Sequence, residues 1–388
     1  MSINRVREAL AKQGIDAVVA SFGENIYYCS GLKTIPSVAN RGLFNQSRIS
    51  EAVFVVVPQS GEATLICSAG VAGVAEEQSH IKDIRFSGTG IYREYPAGGR
   101  PSIYASKAAD VLVGVLKEKG LSEGRVGIEF SSISYSLGTR LTKEFPKVQF
   151  VDAKPVFTEA RMIKTPWEIA NIRNSVKAAE IALSAAIDVI GEGTKESDIL
   201  QAYKRSLINQ GLDWGTTSVG AGANSAETYN LGGSYAVKKG DVVRFDLGAI
   251  TNGYFSDISR TVVLGRPSDT ARRVYDAIYE AEQTMLSMVK PGALTGDIYE
   301  AGVSIVRKHG FLDYVRGNMG HGIGLVVHEE PDLVKGGQIV LEPGMVLAVE
   351  APFYITGEFG MNVENNVIVT EKGYELLDTS LPTQLMVL

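Results

Sequence analysis

An α+β protein of two domains is what this 388-residue sequence predicts, and three observations predict it. Strand and helix periods alternate through residues 1–157, the texture of an α/β domain. From residue 158 to 388 the order becomes helix pair, hairpin, helix pair, hairpin, a duplicated arrangement with antiparallel strands. Each of those hairpins carries two carboxylates on otherwise apolar strands.

In the first domain, residues 2–14 place Val6, Ala9 and Leu10 on one helical face and stop at Gly14. Asp16–Ala20 is a short apolar strand. The segment ENIYYCSG that follows reads as an aromatic turn bracketed by Asn25 and Gly31. Strands Ala52–Val57 and Ala63–Cys67 are joined by the turn Pro58-Gln59-Ser60-Gly61. Ser87–Pro101, rich in Gly, Pro and Tyr, reads as a surface excursion. A helix over 102–119, a strand Val126–Glu129, a helix Ser136–Glu144 and a strand Val148–Val151 complete the domain. It holds no strong catalytic motif, so a structural or oligomerisation role is expected.

A boundary falls near Val156–Lys164. Pro166 then opens a long helix at its first turn, and a second helix, Glu196–Gln210, stops at Gly211. Glycine-rich turns lead into the first hairpin, DLGAITNGYFSDISRT, residues 246–261. Asn252-Gly253 is a turn dipeptide, Tyr254–Leu264 the returning strand. With those two residues as the loop, Asp246 faces Ser259, and the period of two puts Asp257 on the same face, roughly 7–8 Å away or closer. Two helices, near 269–289 and 295–308, precede the second hairpin. Its strands are Met345–Glu350 and Met361–Val369, and a loop centred on Gly357 sets Glu350 opposite Glu364.

Between the hairpins lies GNMGHGIGLVVHEEP. Two of the chain's four histidines, His321 and His328, are here, and glycines at 320, 322 and 324 let the backbone approach a site closely. His80 and His309 have no such context. Asp246, Asp257, Glu350, Glu364 and His321 together match an oxygen-rich site for two divalent cations. Carboxylates suit Mn²⁺ best, and Co²⁺, Zn²⁺ or Fe²⁺ also fit the set. Two such ions, roughly 3.5–4 Å apart, bridge a water, acidify it and polarise a carbonyl.

Composition excludes other classes. A net charge of -6 without a long basic run argues against nucleic acid or an anionic membrane as partner. No apolar stretch approaches the roughly 20 residues a membrane span needs. Cys29 and Cys67 do not make a disulfide framework, and no signal-peptide core opens the chain, so a cytoplasmic location is expected.

The second domain resembles the pita-bread metallopeptidases: methionine aminopeptidase, Xaa-Pro aminopeptidase, prolidase and creatinase. The resemblance rests on DLGAITNGYFSDISRT, GHGIGLVVHEEP, LEPGMVLAVE and GMNVENNVIVTEKGYE, and ENIYYCSG resembles the N-terminal domain of prolidase and creatinase. It implies that Asp257 and Glu364 bridge both ions, that Asp246 completes one shell, and that His321 with Glu350 completes the other. It further implies that Glu350 takes the proton of the attacking water, that His328 contacts the scissile carbonyl, and that the chain is a homodimer. Tyr27, Arg41 and Arg93 are N-domain candidates for reaching a partner's pocket, with no local feature to select among them.

The sequence departs from the family at three places. In Asn224-Ser225-Ala226-Glu227-Thr228-Tyr229, Tyr229 stands where the peptidases carry a substrate-binding histidine. Asn362 stands where prolidases commonly have arginine. Val326-Val327 is apolar where a charge is often seen, and Glu329 and Glu330 follow His328. The expected activity is hydrolysis of an amide bond in a small peptide, Xaa-Pro by default. The alternatives are a small non-peptide amide, as for creatinase and ectoine hydrolase, a dimethylsulfoniopropionate-cleaving type, and a binding protein without catalysis.

Overall fold

The computed structural model describes residues 2–33, 53–88 and 107–388. The greater part of the excursion read over Ser87–Pro101, the start of the helix read over 102–119, Ala52, Arg41 and Arg93 lie outside the described residues. The chain divides into two compact units, Met1–Arg161 and Met162–Leu388.

In the first unit, strands β1 (Ala17–Ala20), β2 (Phe54–Pro58), β3 (Thr64–Ser68), β4 (Asp83–Ser87), β5 (Glu123–Ile128) and β6 (Lys147–Asp152) form one sheet, ordered β4-β3-β2-β1-β5-β6. β1 is apolar at every position and buried at every position, which suits a central strand covered on both faces. It runs antiparallel to β2 and parallel to β5. The helix Ser2–Gln13 buries Val6, Ala9 and Leu10, as its spacing requires. Helices Ala108–Glu118 and Tyr135–Glu144 bring Leu112, Leu116, Leu137 and Leu141 into the core beside the sheet.

ENIYYCSG is not a turn. It lies in the helix Gly23–Ser30, with Asn25 to Ser30 all buried. Gly31 adopts φ 79°, and its N–H donates to the Tyr27 carbonyl at 2.8 Å. The glycine that suggested a turn is therefore the left-handed cap of a helix. A helix buried on every side shows no polar face, so its sequence carries no period to detect. The segment read as a boundary is helical from Lys154 to Met162.

The second unit is built around a nine-stranded sheet. Its main path runs β11 (Gly320–Gly322), β12 (Val346–Glu350), β15 (Glu364–Val369), β10 (Ile258–Val263), β8 (Val242–Thr251) and β7 (Asp213–Ala221). β9 (Tyr254–Phe255), β16 (Tyr374–Leu376) and β17 (Met386–Val387) attach to this path, and β13 (Phe353–Ile355) pairs with β14 (Phe359–Met361) apart from it. Two helix pairs, Pro166–Ile187 with Glu196–Asn209 and Asp269–Met288 with Thr295–Lys308, precede the two hairpins.

Local chemistry starts the long helix. Thr165 Oγ1 accepts from Glu168 N and Glu168 Oε2 accepts from Thr165 N, a capping box with Pro166 inside the first turn. The helix then holds the hairpin tip. Ser175 donates to the Tyr254 carbonyl at 2.8 Å, and the Tyr254 hydroxyl donates to Glu168 at 2.9 Å. At the tip Asn252 and Gly253 adopt φ 49° and 84°, the signs a type I′ turn demands.

Both hairpins are interrupted where the sequence reading makes them continuous. The returning strand stops at Phe255 and resumes at Ile258, leaving Ser256 and Asp257 outside the ladder. Ser256 Oγ accepts the Ala249 N–H, a side chain in place of a strand partner. In the second hairpin the ladder breaks at Ala351-Pro352 and Asn362-Val363, since proline has no N–H to give.

Candidate metal centre

The sheet register alone assembles most of the site. Asp246 is the direct partner of Ser259, Ser259 of Glu364, and Glu364 of Glu350. Residues opposite one another across a sheet project from the same face, so Asp246, Glu364 and Glu350 share one side. His321 is opposite Ala348, two residues before Glu350, and joins that side by the same alternation. Asp257 sits two residues from Ser259, in the gap of its strand.

These residues line one cavity of about 480 Å³, with Tyr229, His328, Arg316 and Tyr354 among its other walls. Ligand-type atoms of Asp246, Asp257 and Glu364 lie within 4.8 Å of one another, as do those of Asp257, His321 and His328. His321 Nε2 is 3.7 Å from Glu364 Oε1 and 3.9 Å from Asp257 Oδ2. Its Nδ1 is 3.0 Å from the Gly322 carbonyl, which only accepts, so the ring proton sits on Nδ1. Nε2 therefore presents its lone pair to the carboxylates, the tautomer a metal ligand requires.

Burial and mutual repulsion dominate the electrostatics of the cluster. Burial pushes Asp257 and Glu364 well above the ordinary carboxylate range, and the charge of neighbouring carboxylates raises each further. Burial and then Asp246 push Glu350 up to about 7. Burial lowers His321 to about 3, so its imidazole is neutral at any working pH. Burial also lowers His328, against the pull of Asp332 and Asp246. Four carboxylates and a neutral imidazole in so small a volume fit two divalent cations by donor chemistry.

The glycines around His321 are there for space and backbone shape. Gly320 adopts φ 137°, and a Cβ on it would stand 2.4 Å from the Ala348 carbonyl oxygen. Only glycine lets β11 lie this close to β12. The rings of His321 and His328 stack, with centroids 3.6 Å apart. His328 is itself exposed, and the next residue, Glu329, anchors its loop through a buried ion pair with Lys164 at 2.7 Å. The other positions singled out in the sequence take different places. Tyr229 is 89% exposed at the cavity wall. Asn362 is fully buried and donates its amide to Glu350 Oε2 at 3.0 Å instead of facing the cavity. His80 belongs to the first unit, and His309 pairs with Glu280, away from the cavity.

Several contributors escape sequence reading. Arg244 is fully buried, donates to Asp246 at 3.2 Å, and spends its other donors on Ser218 and the carbonyls of Ser225, Glu227 and Thr228. Its position two residues before Asp246 is a signal that strand alternation contains. Thr216 donates to Asp257 Oδ1 at 2.9 Å. Asn366 accepts from the Asp257 N–H at 3.3 Å and donates to the Asp257 carbonyl at 2.5 Å, while Asp378 accepts from Asn366. The contacts of Thr216, Asn366 and Asp378 have no local sequence signature.

Residues 170–371 match the model of metallopeptidase family M24, and residues 3–163 match the creatinase/prolidase N-terminal domain. The chain belongs to metallopeptidase family M24. It is 26% identical to the Xaa-Pro dipeptidase of Pyrococcus furiosus over 377 residues, 97% of each chain. Among solved structures it resembles the Xaa-Pro dipeptidase from Bacillus anthracis, with TM-score 0.84, 25% identity, and 100% and 99% of the two chains covered. It also resembles the prolidase from Pyrococcus horikoshii, with TM-score 0.80, 26% identity, and 98% of each chain covered. The M24 chain is thus a metal-dependent hydrolase whose second unit has the pita-bread fold. The family implies divalent metal, and the residues here fit it. No helix among the described residues is long and apolar enough to cross a membrane.

The raised carboxylates give this M24 chain a testable pH response. A carboxyl whose folded pKa is raised contributes stability fully present below its unfolded value, and loses it as pH rises through the folded one. For Glu350 that window runs from the ordinary glutamate value of 4.5 to about 7. Chelator-treated protein is therefore expected to melt at progressively lower temperature from about pH 5 to pH 8. Saturating Mn²⁺ offsets the repulsion among the ionised carboxylates and should raise the melting temperature by roughly 10 °C at pH 8. Thermal scans with and without chelator check it; a gap that narrows with pH contradicts the centre described.

Proposed function

We propose that this M24 hydrolase cleaves the amide bond of a small Xaa-Pro dipeptide or peptide with two divalent cations, Mn²⁺ by preference. The observation that supports it is the row Asp246, Ser259, Glu364, Glu350 across one sheet face, completed by Asp257 and His321. Asp257 and Glu364, at the middle of the cluster, would hold both ions. Asp246 would complete one shell, and His321 with Glu350 the other. Two cations so held acidify a water and polarise the scissile carbonyl. Glu350 would receive the proton, its carboxyl oriented by the 3.0 Å hydrogen bond from Asn362. His328, exposed and adjacent to the cluster, would donate a hydrogen bond to oxyanion charge as it develops.

Release of proline from Xaa-Pro dipeptides by Mn²⁺-loaded enzyme tests the reading. No release from a panel of several such dipeptides and longer peptides removes the peptidase assignment. A second reading, hydrolysis of a small non-peptide amide, is favoured by Asn362, whose amide is committed to Glu350 and brings no cation to the pocket. Tyr229 supports the same reading, because it puts a phenol where the peptidases carry a substrate-binding imidazole. Tyr229→His is expected to raise Xaa-Pro turnover about tenfold, measured as kcat/KM on the same panel. No change would show that this position does not limit specificity.

Cys29 and Cys67 are buried thiols outside any disulfide, which supports a cytoplasmic setting. A homodimer is proposed from the likeness to prolidases, and light scattering of the purified protein decides it.

A further inference from the structure

The cavity wall includes a cation, Arg316, with no hydrogen-bond or ion-pair partner for its side chain among the described residues. Arg316 is half-buried, and its Nε is shielded from solvent with no hydrogen-bond partner. Among the described residues its side chain donates no hydrogen bond and makes no ion pair. Its guanidinium lies 5.1 Å from the centre of the Tyr354 ring. Arg244 lies over the same ring at 5.4 Å, and the contrast is instructive. Arg244 has given its donors to Asp246, Ser218 and three carbonyls, whereas Arg316 has kept its own.

Buried donors without partners are rare because each forfeits its hydrogen bonds to water. Tyr354 holds the planar fork in place, and the backbone is held too, since the Tyr299 hydroxyl donates to the Arg316 carbonyl at 2.6 Å. A guanidinium fixed at both ends and empty at its tip is organised for a planar anion.

The obvious counter-reading is that Arg316 merely offsets the acidic cluster. It does bear on Glu350, lowering it against burial. No oxygen of that carboxylate comes close enough to make an ion pair with it, however. Two divalent cations would neutralise Asp246, Asp257, Glu350 and Glu364, leaving Arg316 as surplus positive charge on the cavity wall. The loaded pocket therefore attracts an anion, and Arg316 is the group with donors to receive it.

We infer that Arg316 is a specificity-determining residue that binds a free carboxylate of the substrate. The inference rests on the hydrolase reading above and deepens it. Asn362, standing where prolidases commonly carry arginine, is turned to Glu350, and Arg316 brings the missing positive charge from a different loop. The substrate class is thereby narrowed to small amides with an unblocked carboxylate.

The test uses Mn²⁺-loaded full-length protein and two probes that differ only in that group, proline and prolinamide, titrated calorimetrically. Wild type should bind proline at least tenfold more tightly than prolinamide. Arg316→Met should bring the ratio close to one while retaining both Mn²⁺ ions; should that variant not fold, Arg316→Gln serves for the same comparison. Equal binding of the two probes by wild type, no binding of proline, or an unchanged ratio in the folded variant each overturn the inference. Hydrolysis of Gly-Pro and Gly-Pro-amide separates it from the reading it rests on. Cleavage of Gly-Pro with a ratio unaffected by Arg316→Met keeps the peptidase and removes the anion site. A ratio that depends on Arg316, without cleavage of any Xaa-Pro peptide, keeps the anion site and removes the peptidase.

Discussion

Asp257→Ala and Glu364→Ala each abolish hydrolysis, by at least about 10³-fold, well beyond the 10- to 100-fold that loss of a group merely supporting a ligand costs. Each variant should also bind fewer than two Mn²⁺ per chain by metal analysis. Asp257 belongs to both groups of neighbouring ligand atoms, and Glu364 lies between Ser259 and Glu350 in the row, so losing one disturbs both cation positions. The change should not unfold the protein. Asp257 is clamped through its backbone, to Asn366 at 3.3 Å and 2.5 Å, and those bonds survive loss of the carboxylate. Asp378 in turn holds Asn366. Removing one of several buried, mutually repelling acids should even raise the melting temperature of the metal-free form. A variant that keeps both ions and wild-type turnover removes its residue from the centre. One that unfolds places it in the scaffold instead.

His328→Ala is expected to lower kcat by about 10²–10³, the cost of losing one donor to a developing oxyanion, while both Mn²⁺ ions remain. Separating these two effects is what makes the variant informative. His328 stacks on His321 at 3.6 Å, so its removal exposes one face of that ring. Nevertheless His321 is held from the other direction, by its Nδ1 bond to Gly322 and by the sheet pairing to Ala348. The loop itself stays anchored by Lys164 and Glu329. Metal content should therefore match wild type, with the loss confined to turnover. Turnover near wild type excludes His328 from the reaction, and loss of metal reassigns it as a support for His321.

Much of this centre could be read before any fold was known, for a reason particular to hairpins. The dipeptide Asn252-Gly253 determines a two-residue loop, the loop determines the register, and the register places Asp246 opposite Ser259, as the structure has it. The same counting about Gly357 places Glu350 opposite Glu364. Both inferences use only residues near in sequence, where turn geometry and a period of two leave few alternatives. The reading falters where those rules lack input. ENIYYCSG, buried all round, shows no amphipathic period. The break at Ser256-Asp257 depends on a side chain replacing a backbone partner. Nothing in the run YVRGN marks Arg316 as facing the cavity.

From its sequence alone the protein has its two hairpins, their registers, the face that each carboxylate takes, and the chemical kind of site that four acids and a histidine can form. Tertiary structure alone joins the hairpins through Ser259 and Glu364, stacks His328 on His321, turns Asn362 to Glu350, and leaves Arg316 Nε with no hydrogen bond among the described residues. Pairing within a hairpin is set by a few consecutive residues. Pairing between hairpins, and the direction a loop side chain takes, is set by packing among segments far apart in the chain, so no local pattern records it.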